Sequence, residues 1–488
     1  MRNILRSSSL FALALVLALG SCKKAFDEMN IDPNNPSQVN PEWVLTAAQR
    51  NMMEYTWDEW ANGRFGMVYA QYWAQNQYTS ESRYQLREGV NNNYWAHYYV
   101  DCLANLQEII NLAEVQTTDE DLKNNQIAVA RVLKVWMFQL VTDIYGNVPY
   151  FNALKGQEAT NPEYDSQDAI YTDLLKELTE ASNQINVVKG GYTTGDIIYG
   201  GDMGQWKKFA NSLKLRVAMR IADVKPAEAQ TAVAEAVNAG VFTSNADDAL
   251  FAYTTAAPNN NPINENRKTR EDFAVSNTLV DYLDSLSDPR LAEYAAPASA
   301  TSTYVGMTYG LSEANATAVS MGAVSQPSAK VLAADHPAVF MTYAEVCFLL
   351  AEAAERGHAV GGTATSYYNN GITASMNYWG ITDGTAINNF IGQTAVDYAQ
   401  TSGSWREKIG RQKWVALYMQ GIQGWTEWRR LDFGMLQLPA DGVLVGTGIP
   451  LRRTYPSDEQ TLNSDSYSSA VSTQGADELS TKLWWDAN

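Results

Sequence analysis

Carboxylates flanked by tryptophan are the first residues in this 488-residue chain whose types could do chemistry. Asp58 and Glu59 lie in "YTWDEWANG" between Trp57 and Trp60, and Glu427 lies in "GWTEWRR". Glycoside hydrolysis needs two carboxylates about 5 to 10 Å apart, one as acid and the other as nucleophile or base. Adjacent residues point in different directions, however, and Arg429 and Arg430 beside Glu427 favour its ionised form over a raised pKa. No catalytic residue is assigned on these grounds. His97, His336 and His358 are far apart, with no partner at metal-ligand spacing, and HExxH, paired CxxC, G-x-S-x-G and Gly-rich phosphate loops are all missing. Zinc hydrolase, serine hydrolase and nucleotide enzyme are therefore disfavoured, and no metal or cofactor is expected. The Asp- and Asn-rich composition leaves a structural calcium open, although no EF-hand loop is present.

Aromatic residues point instead to binding. The chain has 27 Tyr and 14 Trp, and aromatics reach 11 % overall. The 45 residues from Tyr55 to Tyr99 hold 13 of them, a density that marks out this stretch. Helical spacing accounts for Phe65, Tyr69, Tyr72, Trp73, Trp95 and Tyr99 as core. Trp57, Trp60, Tyr78 and Tyr84 are left over in loop-like contexts, beside Asp58, Asn76, Gln77, Arg83 and Gln85. A sugar has apolar CH faces that stack on such rings, and hydroxyls that suit Asn, Gln, Asp and Arg. Ordinary loop aromatics are the competing reading. Two further groups could join the first: Asn264, Asn266 and Arg267 in "INENRK" with Tyr304 and Tyr309, and Tyr378 with Trp379 in "MNYWG".

The elements that must position these residues are mainly α-helical. A first helix is expected after Pro41, and a second through Phe65, Val68, Tyr69, Tyr72 and Trp73. A third is expected behind a cap at "NNN" (Asn91 to Asn93), and a fourth from Val129 to Ile144, ended by "YGNVPY". Short polar connections suggest helical hairpins. Residues 245–335 read as a loop-rich insert, interrupted by one helical piece near Phe273 to Leu286. "VGTGIPLRRTYP" reads as a short strand and turn. No repeat near 34 residues is legible, although small-residue helix pairs suit tetratricopeptide-like packing.

The first twenty residues read as a bacterial export signal: Arg2 and Arg6 precede an apolar core, Leu10 to Leu19, which is shorter than the roughly 20 residues a bilayer span needs. "LGSCKK" fits a lipobox in which residues 1–21 are removed and Cys22 is lipidated, anchoring the chain without a transmembrane helix. Residues 22–40 then form a flexible tether and 41–488 a single helical domain. The formal charge of −19 becomes −21 once Arg2 and Arg6 leave. Such acidity argues against nucleic acid as a partner and against direct binding to anionic lipid. Cys102 and Cys347 sit among apolar helical residues, which favours two buried thiols over a disulfide.

Several blocks, in this order along nearly the whole chain, resemble the SusD/RagB family of outer-membrane nutrient-binding lipoproteins, in its SusD-like branch. They are the lipobox Cys22 with "FDEMNIDPNNPS", "LVTDIYGNVPYF", "IYTDLLKELTEA", "WKKFANSLKLRVAMRIA", "MTYAEVCFLLAEAAERG", "GITASMNYWGI", "KIGRQKWVALYMQGIQGWTEWRRLDF" and "IPLRRTYPSDEQTLN". The resemblance implies a tetratricopeptide-like scaffold whose loops build a ligand face. It also implies a partner, a TonB-dependent transporter barrel of the SusC type, over which the lipoprotein sits as a hinged lid at the cell surface. Members bind glycans or, in some branches, peptides, without cleaving them. The matching blocks are scaffold helices, so the resemblance carries no binding residue across, and the candidate site rests on the loop aromatics. Glycan capture is the leading expectation, peptide capture in the same role is its rival, and a surface-anchored glycoside hydrolase or an assembly subunit without a small ligand stands further off.

Overall fold

The computed structural model describes residues 39–487. The export segment, Cys22 and nearly all of the 22–40 tether lie outside the described residues. Helices begin where a side chain can satisfy the free N–H groups of the first turn. Asn40 accepts from the Glu42 N–H ahead of Pro41, where no donor is needed, and the helix Pro41–Trp57 follows. Asp119 accepts from Leu122 to start Glu120–Tyr145, Ser166 from Ala169 to start Gln167–Gln184, and Asp202 from Gly204 and Gln205 to start Met203–Arg220. Gly146 stops the long helix at φ 94°, a conformation other residues adopt only with strain.

Consecutive helices pack on one another. Ala104–Gln116 lies on Glu120–Tyr145, which lies on Gln167–Gln184, then Met203–Arg220, then Pro226–Ala239. The second half repeats the pattern with Tyr343–Glu355 on Ala364–Tyr378 and Trp405–Ala416 on Gly421–Leu431. This is the tetratricopeptide-like stacking of helix pairs that small residues permit: a Cβ on Gly371 would come within 2.8 Å of the Phe348 ring. One large apolar core runs through the stack, and a smaller cluster that includes Leu286, Phe348, Tyr368, Ile372 and Phe390 fills the second half.

Buried charge ties the two halves together. Glu427 accepts from Arg220 at 2.7 Å and Arg430 at 2.7 Å, with the Lys413 ammonium at 2.9 Å. Arg430 also reaches Glu352 at 2.6 Å, and Arg216 reaches Glu345 at 2.7 Å. Burial alone would push the Glu427 carboxyl up, but Arg430, Lys413 and Arg220 hold it well below the usual carboxylate range. Glu427 is thus a structural carboxylate, ionised as its arginine neighbours in sequence imply.

The strands are four and short among the described residues. β1 (Trp73–Gln75) pairs antiparallel with β3 (Phe273–Val275), and β2 (Ala249–Phe251) with β4 (Ala338–Met341). Three sequence expectations are corrected. The helix expected behind "NNN" starts at Glu88, so Asn91 to Asn93 lie inside it, and it becomes π-helical from His97 to Leu103. The helix expected through Trp73 ends at Tyr69, because Gln71 takes φ 56° and Trp73 pairs with Val275. "VGTGIPLRRTYP" forms bends rather than a strand: the Leu451 N–H goes to Leu479 and that of Arg453 to Ile144, so no single neighbouring strand receives both. Cys102 and Cys347 are free, buried thiols, as their apolar helical settings predict. Among the described residues no helix is long and apolar enough to cross a membrane.

Candidate functional site

The first helix does not simply stop at Trp57. Asp58 forms a joint, its Oδ1 accepting from the N–H groups of Trp60 at 3.0 Å and Ala61 at 2.7 Å and its Oδ2 from the Tyr94 hydroxyl, and a π-helical segment, Glu59–Gly66, continues. Burial pushes the Asp58 carboxyl up to about 6, against those three hydrogen bonds. Segments of π-helix are rare and concentrate at functional sites. The far end of this one is clamped. Asn62 donates to the Met419 carbonyl at 2.8 Å and accepts from the Gly421 N–H at 3.1 Å, and a Cβ on Gly421 would lie 2.2 Å from the Gly66 backbone. Glu59, Trp60 and Arg64 are thereby fixed on one wall of a cleft of about 290 Å³, completed by Tyr78, Arg87 and Arg270.

The β1–β3 pair supplies the opposite wall. With Gln75 opposite Phe273, the turn from Asn76 to Tyr78 lies beside Arg270 to Asp272, and the Asn76 N–H donates to the Asp272 carbonyl at 3.1 Å. Arg64 is the hub. Its Nη2 donates to Asp272 at 2.7 Å, its Nε to Glu59 at 3.0 Å, and its Nη1 lies 3.6 Å from Glu81. Glu81 also holds Arg87 at 3.0 Å, Asp272 holds Arg270 at 3.4 Å, and Asn266 donates to Glu59. The guanidiniums lie over the rings: Arg64 at 4.6 Å and Arg87 at 5.1 Å from the Trp60 centroid, and Arg64, Arg87 and Arg270 at 5.5, 5.8 and 5.7 Å from that of Tyr78.

Three guanidiniums and three carboxylates thus balance around two aromatic rings. The three carboxylates are all engaged by arginine, which orients them as acceptors. Tyr78 is 43 % exposed, at φ 55°, a conformation uncommon for a residue with a Cβ. A ring held open beside fixed donors and acceptors matches a ligand that has an apolar face and hydroxyl or amide groups at its edge. Among the described residues no group of three or more His, Cys, Asp or Glu is placed to hold a metal ion.

A family model described as starch-binding and associating with the outer membrane matches residues 33–456. The chain belongs to the SusD-like family. Solved structures agree with that membership across the whole scaffold. A chitin-binding protein is 30 % identical, with a TM-score of 0.82 over 92 % of this chain and 100 % of its own. A SusD homologue from Bacteroides thetaiotaomicron is 26 % identical, with a TM-score of 0.77 over 92 % and 100 % of the two chains. A chitin-binding SusD homologue from Flavobacterium johnsoniae, 24 % identical with a TM-score of 0.80 over 91 % and 99 %, shares the fold. No curated protein matches the sequence.

Within this SusD-like chain the residues singled out by sequence separate into three groups. Trp60 and Tyr78 meet in the cleft, Asn266 donates to its Glu59, and Asp58 forms the joint beside it. Arg267 lies on the same short helix as Asn266, Pro262–Arg267, but turns to Gln326 at 2.9 Å. Asn76 is buried two residues before Tyr78, its amide on the Met321 sulfur at 2.7 Å and its Oδ1 without a partner. The loop-like setting expected for Trp57 and Trp60 is corrected: Trp57 is the buried last residue of a helix and Trp60 lies in the π-helical segment, whereas Tyr84 is in a turn as expected but fully buried, with its ring 5.4 Å from Tyr69. Tyr309 is buried as well, and Tyr304 is half-buried against the core. Tyr378 and Trp379 line a different cleft. Sequence reasoning missed Arg64, Arg87, Arg270, Glu59 as a cleft residue, Glu81 and Asp272. Only the i, i+4 spacing of Trp60 and Arg64 was a local signal, and without the fold it could not be told from a solvated helix face.

Proposed function

We propose that this chain is a non-catalytic surface lipoprotein, anchored at Cys22, that captures glycan in the Trp60–Tyr78 cleft and acts as a lid delivering it to a SusC-type TonB-dependent transporter in the outer membrane. The observation that carries the reading is the exposed Tyr78 ring, set among guanidiniums and carboxylates already fixed to one another. Sugar stacking on that ring would bring its hydroxyls to groups whose geometry needs no rearrangement, so little ordering entropy is lost on binding. Moderate affinity suits a carrier that must release its cargo; a micromolar Kd corresponds to about −8 kcal/mol.

The chitin-binding protein that is 30 % identical over nearly the full chain makes oligosaccharides of N-acetylglucosamine the first glycans to test. Asp58 and Glu59, the carboxylates nearest to a hydrolase arrangement, are spent on a helix cap with Tyr94 and on Arg64 with Asn266. Titration of the purified chain with chito-, malto- and cello-oligosaccharides beside mixed oligopeptides tests the reading. Saturable binding of at least one oligosaccharide is expected, with a silent peptide panel. Binding of peptides alone would replace glycan by peptide in the same lid role, and release of reducing ends would make the chain a hydrolase.

A further inference from the structure

Tyr378 and Trp379 end the helix Ala364–Tyr378 beside the β2–β4 pair, at a second cleft of about 490 Å³. Leu250, Pro337 and Tyr378 give it apolar walls, and Asp248 and His336 its polar ones. His336 is only 6 % exposed; its ring stacks on Trp379, with centroids 5.5 Å apart, and its Nε2 has no hydrogen-bond partner. The Tyr378 hydroxyl, equally enclosed, has none either. Asp248 is buried and held in one orientation, Oδ1 accepting from the Tyr343 N–H at 2.6 Å and Oδ2 from Asn245 at 3.1 Å. Lys330, the cation at this cleft, is committed to Glu293 and the Trp379 carbonyl.

Buried polar groups are almost always paired, and each one left unpaired costs about 1–3 kcal/mol. Of the buried side-chain atoms left without a partner among the described residues, two belong to residues that line this one cleft, where a ligand can complete their bonding. A neutral imidazole and a phenol hydroxyl between them can accept and donate, as a sugar hydroxyl can. With Lys330 already engaged and Asp248 and Asp335 at the wall, an anionic ligand has no free cation to meet. The apolar walls suit the CH face of a ring.

We infer that this cleft is a second saccharide site, taking one pyranose unit of a glycan, with His336 Nε2 and the Tyr378 hydroxyl as its hydrogen-bonding groups. The inference rests on the glycan-capture reading. Burial, with Lys330 adding to it, lowers His336 to about 4, so its ring is neutral at neutral pH; burial raises Asp248 to about 7. Both shifts fit an uncharged ligand. A short helix is hydrogen-bonded to the walls of both clefts. At the start of the short helix Pro262–Arg267, Asn261 donates through its backbone to Ala334 at 2.7 Å and through its side chain to His336 at 2.8 Å. Asn264 holds Leu332 at 2.8 Å, while Asn266 at the other end meets Glu59. Six helical residues span about 9 Å.

Calorimetric titration with chitotriose tests the second site in three proteins: the unaltered chain, Tyr78→Ala, and Tyr78→Ala with Tyr378→Phe. Two binding events are expected in the first and one in the second, and that remaining event should weaken at least fivefold in the third. Because Tyr378→Phe removes only an unpaired hydroxyl, the thermal midpoint should not fall, which separates a binding role from a packing role. A single event abolished by Tyr78→Ala, or a remaining event indifferent to Tyr378→Phe, overturns the second site while leaving glycan capture standing. Absence of binding to every oligosaccharide tested would overturn both.

Discussion

Tyr78 and Tyr84 lie six residues apart, both at positive φ, and have opposite fates. Tyr84 packs its ring on Tyr69, and its hydroxyl receives Gln71 at 3.5 Å; Tyr78 stands open among Arg64, Arg87 and Arg270. Replacing a fully buried aromatic ring with alanine costs about 3–5 kcal/mol, so Tyr84→Ala should lower the urea midpoint sharply. Tyr78→Ala should change stability by no more than about 0.5 kcal/mol, and a matched pair of urea titrations checks both. Asp58 adds a pH signature. Its folded-state value, raised to about 6 by burial, exceeds the ordinary value of about 4, so the stability it contributes is full below about pH 4 and is lost as pH rises through about 6. Asp58→Asn should flatten the stability profile across that window, and an unchanged profile would place the titrating group elsewhere. The aromatic cluster was legible in the sequence, but which rings turn inward was not. That choice is made by distant partners, such as Arg270 and Asp272 on the far strand, and no local spacing encodes them.

At the scale of elements, the amphipathic helices were readable because 3.6-residue periodicity and Ser, Asp and Asn caps act locally. The π-helical segments were not. A π-helical turn inserts one residue into the ladder and is held by tertiary contacts, here Asn62 with Met419 and Gly421 against Gly66. The strands β1 and β3 hid for a similar reason: three-residue strands carry too little alternation to register, and their pairing spans some two hundred residues of chain. The buried ion network was glimpsed only through Arg429 and Arg430 beside Glu427. Removing one partner of a buried pair costs about 3–5 kcal/mol, because the others keep their unpaired charge; Glu427→Ala should therefore destabilise the fold by about that amount. Glu427 is held well below its ordinary range, so the stability it contributes is present above about pH 4 and is lost only as pH falls through its depressed folded value. Stability curves of Glu427→Gln and the unaltered chain should differ at neutral pH and converge only in strong acid. Convergence at mildly acid pH would contradict the network.

For the whole molecule, a helical stack with one large core and a smaller apolar cluster holds two clefts linked by hydrogen bonds through the helix Pro262–Arg267. A formal charge of −19 makes the chain unattractive to phosphate polymers, while the Trp60–Tyr78 cleft is charge-balanced, which suits a neutral glycan better than an ionic one. Capture at that cleft, without bond cleavage, is the centre of the account. The most direct test is calorimetric titration of chito-oligosaccharides into the purified chain and into its Tyr78→Ala variant. Saturable binding by the first is expected, with at least a tenfold loss, about 1.4 kcal/mol, in the second. Equal affinity in the two proteins would contradict capture at that cleft.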